Sequence, residues 1–187
     1  MKFPADTVMT RWPGPLGPML IAASPRGLVG VWFEDQRHLP DTSGWPLQDD
    51  HPLLRETAAQ LQAYFDGQRT GFELPIDLSG GTVFQQTVWR ALLQIPCGDT
   101  CTYGALSRQI DRPAAVRAVG AAIGRNPISV IVPCHRVLGS TGTLAGYGGG
   151  LGRKVALLRR EGWQVEAPAA GAEPAPTLRP QRVAVRR

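Results

Sequence analysis

The sequence predicts an α/β domain followed by a mainly helical domain. Three observations carry this. Two apolar runs flank a turn near the start and one amphipathic helix follows them; three helical stretches crowd residues 83–124; and the composition changes at Ser79-Gly80-Gly81-Thr82. The expected boundaries are therefore 1–81 for the N-terminal domain and 82–163 for the C-terminal one.

In chain order, Met19-Leu20-Ile21-Ala22-Ala23 and Leu28-Val29-Gly30-Val31-Trp32-Phe33 are short apolar runs. Ser24-Pro25-Arg26-Gly27 between them is a turn signal, so a β-hairpin is expected. Residues 34–50 are polar, carry Pro and Gly, and read as loop. His51-Pro52 opens a helix with proline in its first turn. Leu54, Ala58, Leu61, Tyr64 and Phe65 recur at helical spacing, and Asp66-Gly67 ends the run. Residues 72–78 alternate like an edge strand, where Pro75 is tolerable. Beyond the boundary, helices are expected over 83–94, 103–110 and 114–124, joined by Pro96-Cys97-Gly98-Asp99 and Asp111-Arg112-Pro113. Val130-Ile131-Val132 reads as a short buried strand, 139–150 as a glycine-rich loop, and 153–160 as a last helix stopped by Gly162. Residues 164–187 are rich in Ala, Pro and Arg with little periodicity, and read as a disordered tail. There are no internal repeats.

Of the 187 residues, 43% are hydrophobic and 19% charged, which is ordinary globular composition. No apolar run approaches the roughly 18 residues needed to span a bilayer. Met1-Lys2-Phe3-Pro4-Ala5-Asp6 lacks the apolar stretch of a signal peptide. A cytoplasmic protein without membrane attachment is expected. Three cysteines argue against a disulfide framework and for a reducing compartment. Cys97 and Cys101 have C-x3-C spacing but no second ligand pair, and the only histidines are His38, His51 and His135. Ordinary thiols fit better there than zinc.

The net charge of +5 hides an asymmetry. Residues 1–84 hold 6 basic and 10 acidic side chains, residues 85–162 hold 10 and 3, and residues 163–187 hold 4 and 2. Positive charge concentrated in one segment points to a polyanion partner, or to a solvated basic face. Two short helices joined by Asp-Arg-Pro make a helix-turn-helix candidate, although many helical hairpins look the same. The second helix is built of Ala, Gly and Val, with Arg117 as its one long side chain. That composition is poor for reading base edges in a major groove. It suits close approach to a narrow groove with one side chain inserted into the base stack, or tight packing on a neighbouring helix.

Cys134 beside His135 suggests a thiolate nucleophile, since the thiolate is the reactive form. Adjacent residues on an extended chain point to opposite sides, so the two would cooperate through a kinked backbone or a water. From spacing alone a structural pair is equally open.

Pro133-Cys134-His135-Arg136-Val137, preceded by Asn126-Pro127 and followed by Gly146-Tyr147-Gly148-Gly149-Gly150, resembles the O6-alkylguanine-DNA alkyltransferase family. The similarity runs from about Thr82 to Gly162. It includes Phe84-Gln85-Gln86-Thr87-Val88-Trp89, Thr102-Tyr103-Gly104, Val116-Arg117-Ala118-Val119-Gly120 and Leu157-Leu158-Arg159-Arg160-Glu161-Gly162. The first 80 residues match only loosely, best at Leu16-Gly17-Pro18-Met19-Leu20 and Tyr64-Phe65-Asp66-Gly67.

The resemblance implies an N-terminal ribonuclease-H-like α/β domain without that enzyme's activity, and a winged-helix-like C-terminal domain with a helix-turn-helix. It implies a monomer that binds double-stranded DNA carrying O6-alkylguanine, flips the base from the minor groove, and moves the alkyl group irreversibly onto its own cysteine; O4-alkylthymine is a second candidate substrate. Carried over residue by residue, Cys134 is the acceptor, His135 the base acting through a water, Glu161 its partner, Asn126 a brace, and Tyr103 a donor to the base ring that also turns the backbone phosphate. Val137 and Cys134 carbonyls, Tyr147, Gly148 and Ser129 would contact the base. Arg117 would fill the gap in the stack, with Ala115, Ala118 and Arg125 against the DNA.

Gly148 stands where mammalian relatives have a serine, so only its backbone N–H can donate. Ser129 stands where they have a proline, and Cys97 where a tyrosine is common. The mammalian zinc ligands are absent, so neither metal nor cofactor is expected. Two other readings are a non-catalytic DNA-binding damage sensor and a Cys-His hydrolase; the first lacks a use for Cys134 and Glu161, the second an oxyanion loop.

Overall fold

A computed structural model describes residues 1–166 and 177–179. The N-terminal part is a three-stranded antiparallel sheet of β1 (Val8–Trp12), β2 (Met19–Ser24) and β3 (Gly27–Phe33), covered by helix α1 (Pro52–Phe65). The 19–33 hairpin forms as its turn signal requires. β1 pairs in register with β2, from Val8 opposite Ala23 to Trp12 opposite Met19. Its Val-Met-Thr-Arg-Trp sequence gives little alternation to read. Helix α1 buries Leu54, Thr57, Leu61 and Tyr64 along one stripe, and Gly67 follows it in the left-handed region at φ 84°.

The C-terminal part contains α2 (Val83–Leu92), β4 (Cys101–Thr102), α3 (Tyr103–Gln109), α4 (Val116–Gly124), β5 (Val137–Leu138) and α5 (Leu151–Arg160). Thr82 and Gln85 close a reciprocal cap on α2. The Trp89 indole N–H donates to the Ala122 carbonyl at 2.9 Å, fastening α2 to α4. Gly81 permits that packing, because a Cβ there would lie 2.3 Å from the Trp89 ring. The turn 113–115 is a separate 3₁₀ segment (Pro113–Ala115), so the helix expected over 114–124 starts at Val116. Helix α5 starts two residues earlier than expected.

Three other expectations are corrected. Residues 72–78 form no strand: Ile76 makes an isolated parallel bridge to Leu28, with the Pro75 carbonyl accepting from Leu28 N–H and Asp77 N–H donating to the Leu28 carbonyl. Residues 130–132 form no strand either, because Val130 sits at φ 72° and folds the chain into turns. The apolar run marks burial rather than extension. Within the expected disordered tail at 164–187, β6 (Gln164–Glu166) pairs antiparallel with β7 (Thr177–Arg179); the remainder of that tail lies outside the described residues.

One hydrophobic core crosses the boundary, including Met19, Val31 and Tyr64 from the first part and Trp89, Val119 and Leu157 from the second. The outer edge of β3 takes part: Val31 N–H donates to the Pro127 carbonyl and Ser129 N–H to the Val31 carbonyl. Among the described residues no helix is long and apolar enough to cross a membrane.

Candidate active site

Cys134, His135 and Arg136 occupy one 3₁₀ turn (Cys134–Arg136) directly before β5. This is the backbone kink that adjacent Cys and His need. β5 pairs parallel with β4, Cys101 opposite Val137, and β4 runs straight into α3. Tyr103 at the start of α3 is thereby set next to the cysteine turn. The Thr102 hydroxyl caps that helix, accepting from Ala105 N–H at 3.1 Å.

The Cys134 residue is 6% exposed. Its Sγ accepts from Asn126 Nδ2 at 3.0 Å. The same amide donates to the Val132 carbonyl at 2.8 Å, and Asn126 Oδ1 accepts from Ile128 N–H at 3.0 Å. Asn126 thus holds together the loop that Val130 distorts. A β-branched residue at positive φ costs about 1–3 kcal/mol, and the Asn126 hydrogen bonds brace the loop on both sides of it. Burial pushes the Cys134 thiol up, while the Asn126 bond and the Lys154 charge pull it down, with burial prevailing. The resting side chain is a thiol, which would have to lose a proton to act as a nucleophile.

His135 is fully buried, and burial lowers its basicity against the opposing pull of Glu161. Its Nε2 lies 2.9 Å from Glu161 Oε1. Glu161 also accepts from Arg136 Nη2 at 2.8 Å and Nε at 3.0 Å. Burial alone would raise the carboxyl, yet the His135 and Arg136 contacts outweigh it and hold it far below the usual carboxylate range. An ionised carboxylate only accepts, so Nε2 carries the ring proton and Nδ1 of the neutral ring has a free lone pair. That Nδ1 is buried with no hydrogen-bond partner among the described residues. The arrangement leaves one ring nitrogen able to accept a proton and a carboxylate on the other.

Glu161 points inward because Lys154, Leu157, Leu158 and Glu161 share one face of α5 at helical spacing. Three neighbours of the site were not singled out from sequence. Arg136 is buried and also donates to the Ile95 carbonyl at 2.6 Å. Tyr64 arrives from α1, its hydroxyl donating to Glu161 Oε1 at 2.6 Å. Lys154 is fully buried and donates to the Val137 and Ala145 carbonyls at 2.6 and 2.8 Å; burial lowers its pKa to about 8. Tyr64 and Lys154 carried a signal. A Tyr or Lys on an otherwise apolar helical stripe must find a polar partner inside.

Above Cys134 lies a cavity of about 310 Å³, lined by Arg37, His38, Tyr103, Gly120, Ile123, Gly124, Cys134, Gly146, Tyr147 and Gly148. This is the size of pocket that takes a small flat molecule. Burial and the nearby Cys134 raise the Tyr103 phenol, which stays protonated as a donor. The Tyr147 hydroxyl is buried, with no partner at hydrogen-bonding geometry among the described residues. Gly149 is held between the Phe33 and Tyr147 rings, where a Cβ would come within 2.8 Å of both. Arg37 N–H donates to the Gly148 carbonyl at 3.0 Å, so the loop after β3 forms part of the mouth.

Of the residues named from sequence, Cys134, Tyr103, Tyr147 and Gly148 line this cavity, with His135, Glu161 and Asn126 directly behind it. Val137 lies on β5 with its carbonyl engaged by Lys154. Ser129 is buried outside the lining, its hydroxyl donating to Gln36 Oε1 at 3.0 Å. Arg117, Ala118 and Arg125 are exposed along α4 and its end, and Ala115 is half-buried just before it.

Known proteins share this architecture. Residues 83–163 match the family model described as 6-O-methylguanine DNA methyltransferase, DNA binding domain, and residues 10–78 match its ribonuclease-like domain. The chain is 48% identical over 151 residues to the methylated-DNA–protein-cysteine methyltransferase of Mycobacterium leprae, covering 81% of this chain and 90% of the relative. It is 42% identical over 153 residues to the protein of that name from Haemophilus influenzae, covering 81% and 84%. Among solved structures, Mycobacterium tuberculosis OGT in complex with DNA superposes with a TM-score of 0.76 at 44% identity, covering 82% of this chain and 91% of that one.

Proposed function

The chain belongs to the 6-O-methylguanine DNA methyltransferase family, and on that premise we propose that it repairs double-stranded DNA by moving the alkyl group of O6-alkylguanine irreversibly onto Cys134, once per molecule. The observation that carries this reading is the buried Cys134 thiol at the cavity wall, with the unengaged Nδ1 of His135 behind it and Glu161 fixed on the other ring nitrogen.

In this reading the damaged guanine leaves the stack and enters the cavity. His135 takes the Cys134 proton through a bridging water, and the resulting imidazolium is balanced by Glu161. The sulfur attacks the alkyl carbon; the S–C bond forms as the C–O6 bond breaks, and the electron pair goes to the guanine oxygen. Tyr103 donates to the ring, making guanine a better leaving group, and the Gly148 N–H faces the oxygen. Cys134 and Val137 carbonyls accept from the exocyclic amine, so that guanine is selected by buried hydrogen bonds. Arg117 fills the gap left in the duplex while Ala115 and Ala118 let α4 approach the minor groove and Arg125 meets a phosphate. The same site would admit O4-alkylthymine as a smaller substrate. The exposed Arg108, Arg112, Arg117 and Arg125 supply positive charge on the DNA side.

We further read residues 1–81 as a ribonuclease-H-like scaffold and 82–163 as a winged-helix-like reader, in a monomer acting in the cytoplasm without metal or cofactor. Intact-protein mass spectrometry after mixing with a duplex carrying one O6-methylguanine tests the whole proposal. The expected result is one methyl, stopping at one per molecule and mapping to Cys134. Tight binding with no mass change would make this a damage sensor.

A further inference from the structure

The N-terminal domain contributes a hydrogen bond to the heart of the site. Tyr64, at the end of α1 and 97 residues from Glu161, is fully buried. Its phenol donates to Glu161 Oε1 at 2.6 Å, the same oxygen that lies 2.9 Å from His135 Nε2. The contact is held from both sides. Arg160, adjacent to Glu161, donates through Nε to the Tyr64 carbonyl and lays its guanidinium over the Tyr64 ring at 4.3 Å. Arg160 also donates to the Arg69 carbonyl at 3.2 Å, and Phe65 and Phe72 flank the ring at 5.4 and 5.3 Å. These contacts fix the Tyr64 backbone and ring, and with them the place of its hydroxyl.

We propose that Tyr64 is a positioning residue of the alkyl-transfer reaction: by donating to the oxygen of Glu161 that partners His135, the N-terminal domain sets how strongly the base holds its proton. The inference rests on the relay reading of Cys134, His135 and Glu161. Its physics is direct. Each donor on Oε1 takes up part of the negative charge available to an imidazolium at His135. A phenol there moderates the base, acting in the same direction as the burial that already lowers the basicity of His135. Burial and the Glu161 charge both raise the Tyr64 phenol, so it remains a donor throughout. The other groups acting on this cluster are Arg136 on the carboxylate, Lys154 and Arg136 on His135, Cys97 from the loop after α2, itself influenced by Asp99 and Arg160, and Cys134 ahead of the base. All of these groups are present in wild type and in a variant lacking only the Tyr64 hydroxyl.

The test is the pH dependence of single-turnover methyl transfer from a saturating O6-methylguanine duplex, read as methylated protein, for the full chain and for Tyr64→Phe. Loss of the donor leaves more charge on Oε1 and raises the affinity of His135 for its proton. The acid limb should therefore move up by about 0.5–1 pH unit, as expected for losing part of a hydrogen bond to a charged group. Rates below that limb should fall by roughly 3- to 10-fold while the plateau is retained. A uniform fall at every pH with an unmoved limb, or no change at all, would overturn the inference. Placing 3,5-difluorotyrosine at position 64 strengthens the donor and should move the limb down; should Tyr64→Phe fail to fold, that shift or its absence decides. Wild-type protein that takes up no methyl overturns the proposed function itself, whereas wild-type transfer with an unmoved limb overturns this inference alone.

Discussion

The ten basic side chains of residues 85–162 divide into two populations that do different work. Arg90, Arg108, Arg112, Arg117, Arg125 and Arg159 are exposed. The side chains of Arg117 and Arg125 have no hydrogen-bonding or ionic partner among the described residues. Arg136 and Lys154 are buried, and Arg153 and Arg160 are half-buried against the N-terminal domain. Arg153 donates to the Leu16 carbonyl at 2.8 Å and to Asp35 at 2.6 Å. The lesson is that a basic segment is not one property. Its outer charges face solvent, while its inner ones engage backbone carbonyls and two carboxylates, Glu161 beside the cysteine and Asp35 at the domain boundary.

That contrast can be broken by experiment, beginning where the effect is largest. Cys134→Ala should abolish methyl transfer completely and leave duplex affinity unchanged, as read by mass spectrometry and by fluorescence anisotropy. Parallel loss of both would mean that interior and surface are not separable.

Glu161→Gln strands Arg136 in the interior, so urea unfolding at neutral pH should show a loss of about 3–5 kcal/mol. The pH course follows from sign. The folded carboxyl is held far below its ordinary value of 4.5, so its contribution is complete above that value and fades as pH falls below it. The gap between wild type and variant should therefore narrow in acid. A gap constant from pH 7 to pH 3 would contradict the charged state assigned to Glu161.

Asn126→Ala leaves the Ile128 N–H buried without its acceptor and takes from the Val132 carbonyl one of its two donors, the other being Cys134 N–H, which should cost about 1–3 kcal/mol in the same assay and slow transfer. At the opposite extreme, Arg117→Ala on the outer face should shift stability by no more than about 0.5 kcal/mol. It should still reduce repair of duplex more than reaction with free O6-benzylguanine. Equal reduction of both would remove Arg117 from the stack-filling role. Duplex affinity should weaken with salt, with a slope that becomes shallower by about one when Arg117 is gone, if it meets a phosphate as well as the stack.

Much of this site was legible in the sequence. Cys134 beside His135 offered a thiol next to a base, but spacing alone left that pair open; Asn126 and Glu161 joined it only through the family resemblance, and the structure brings all four together. Tyr64, Arg136 and Lys154 escaped notice because their partners are set by packing between distant elements, as in the contact from Tyr64 to Glu161. The strands misjudged at 72–78 and 130–132 share another cause. Pro75 offers no N–H and Val130 takes a left-handed conformation, so the apolar pattern reported where these segments are buried without reporting how the backbone runs. Strand β1 was missed because Val-Met-Thr-Arg-Trp alternates too weakly to announce a strand.

The bridging of β3 by residues 127–129 has one more consequence. The backbone groups of Val31 that would otherwise form an open sheet edge are closed by Pro127 and Ser129, and those of Leu28 by Pro75 and Asp77. A fragment ending near residue 81 would bare the Val31 donor and acceptor in the middle of a strand that is buried along its whole length in the intact chain. Such an edge is a template for pairing with another molecule. The active-site loop therefore also serves as the guard that keeps the N-terminal sheet from assembling with its own kind.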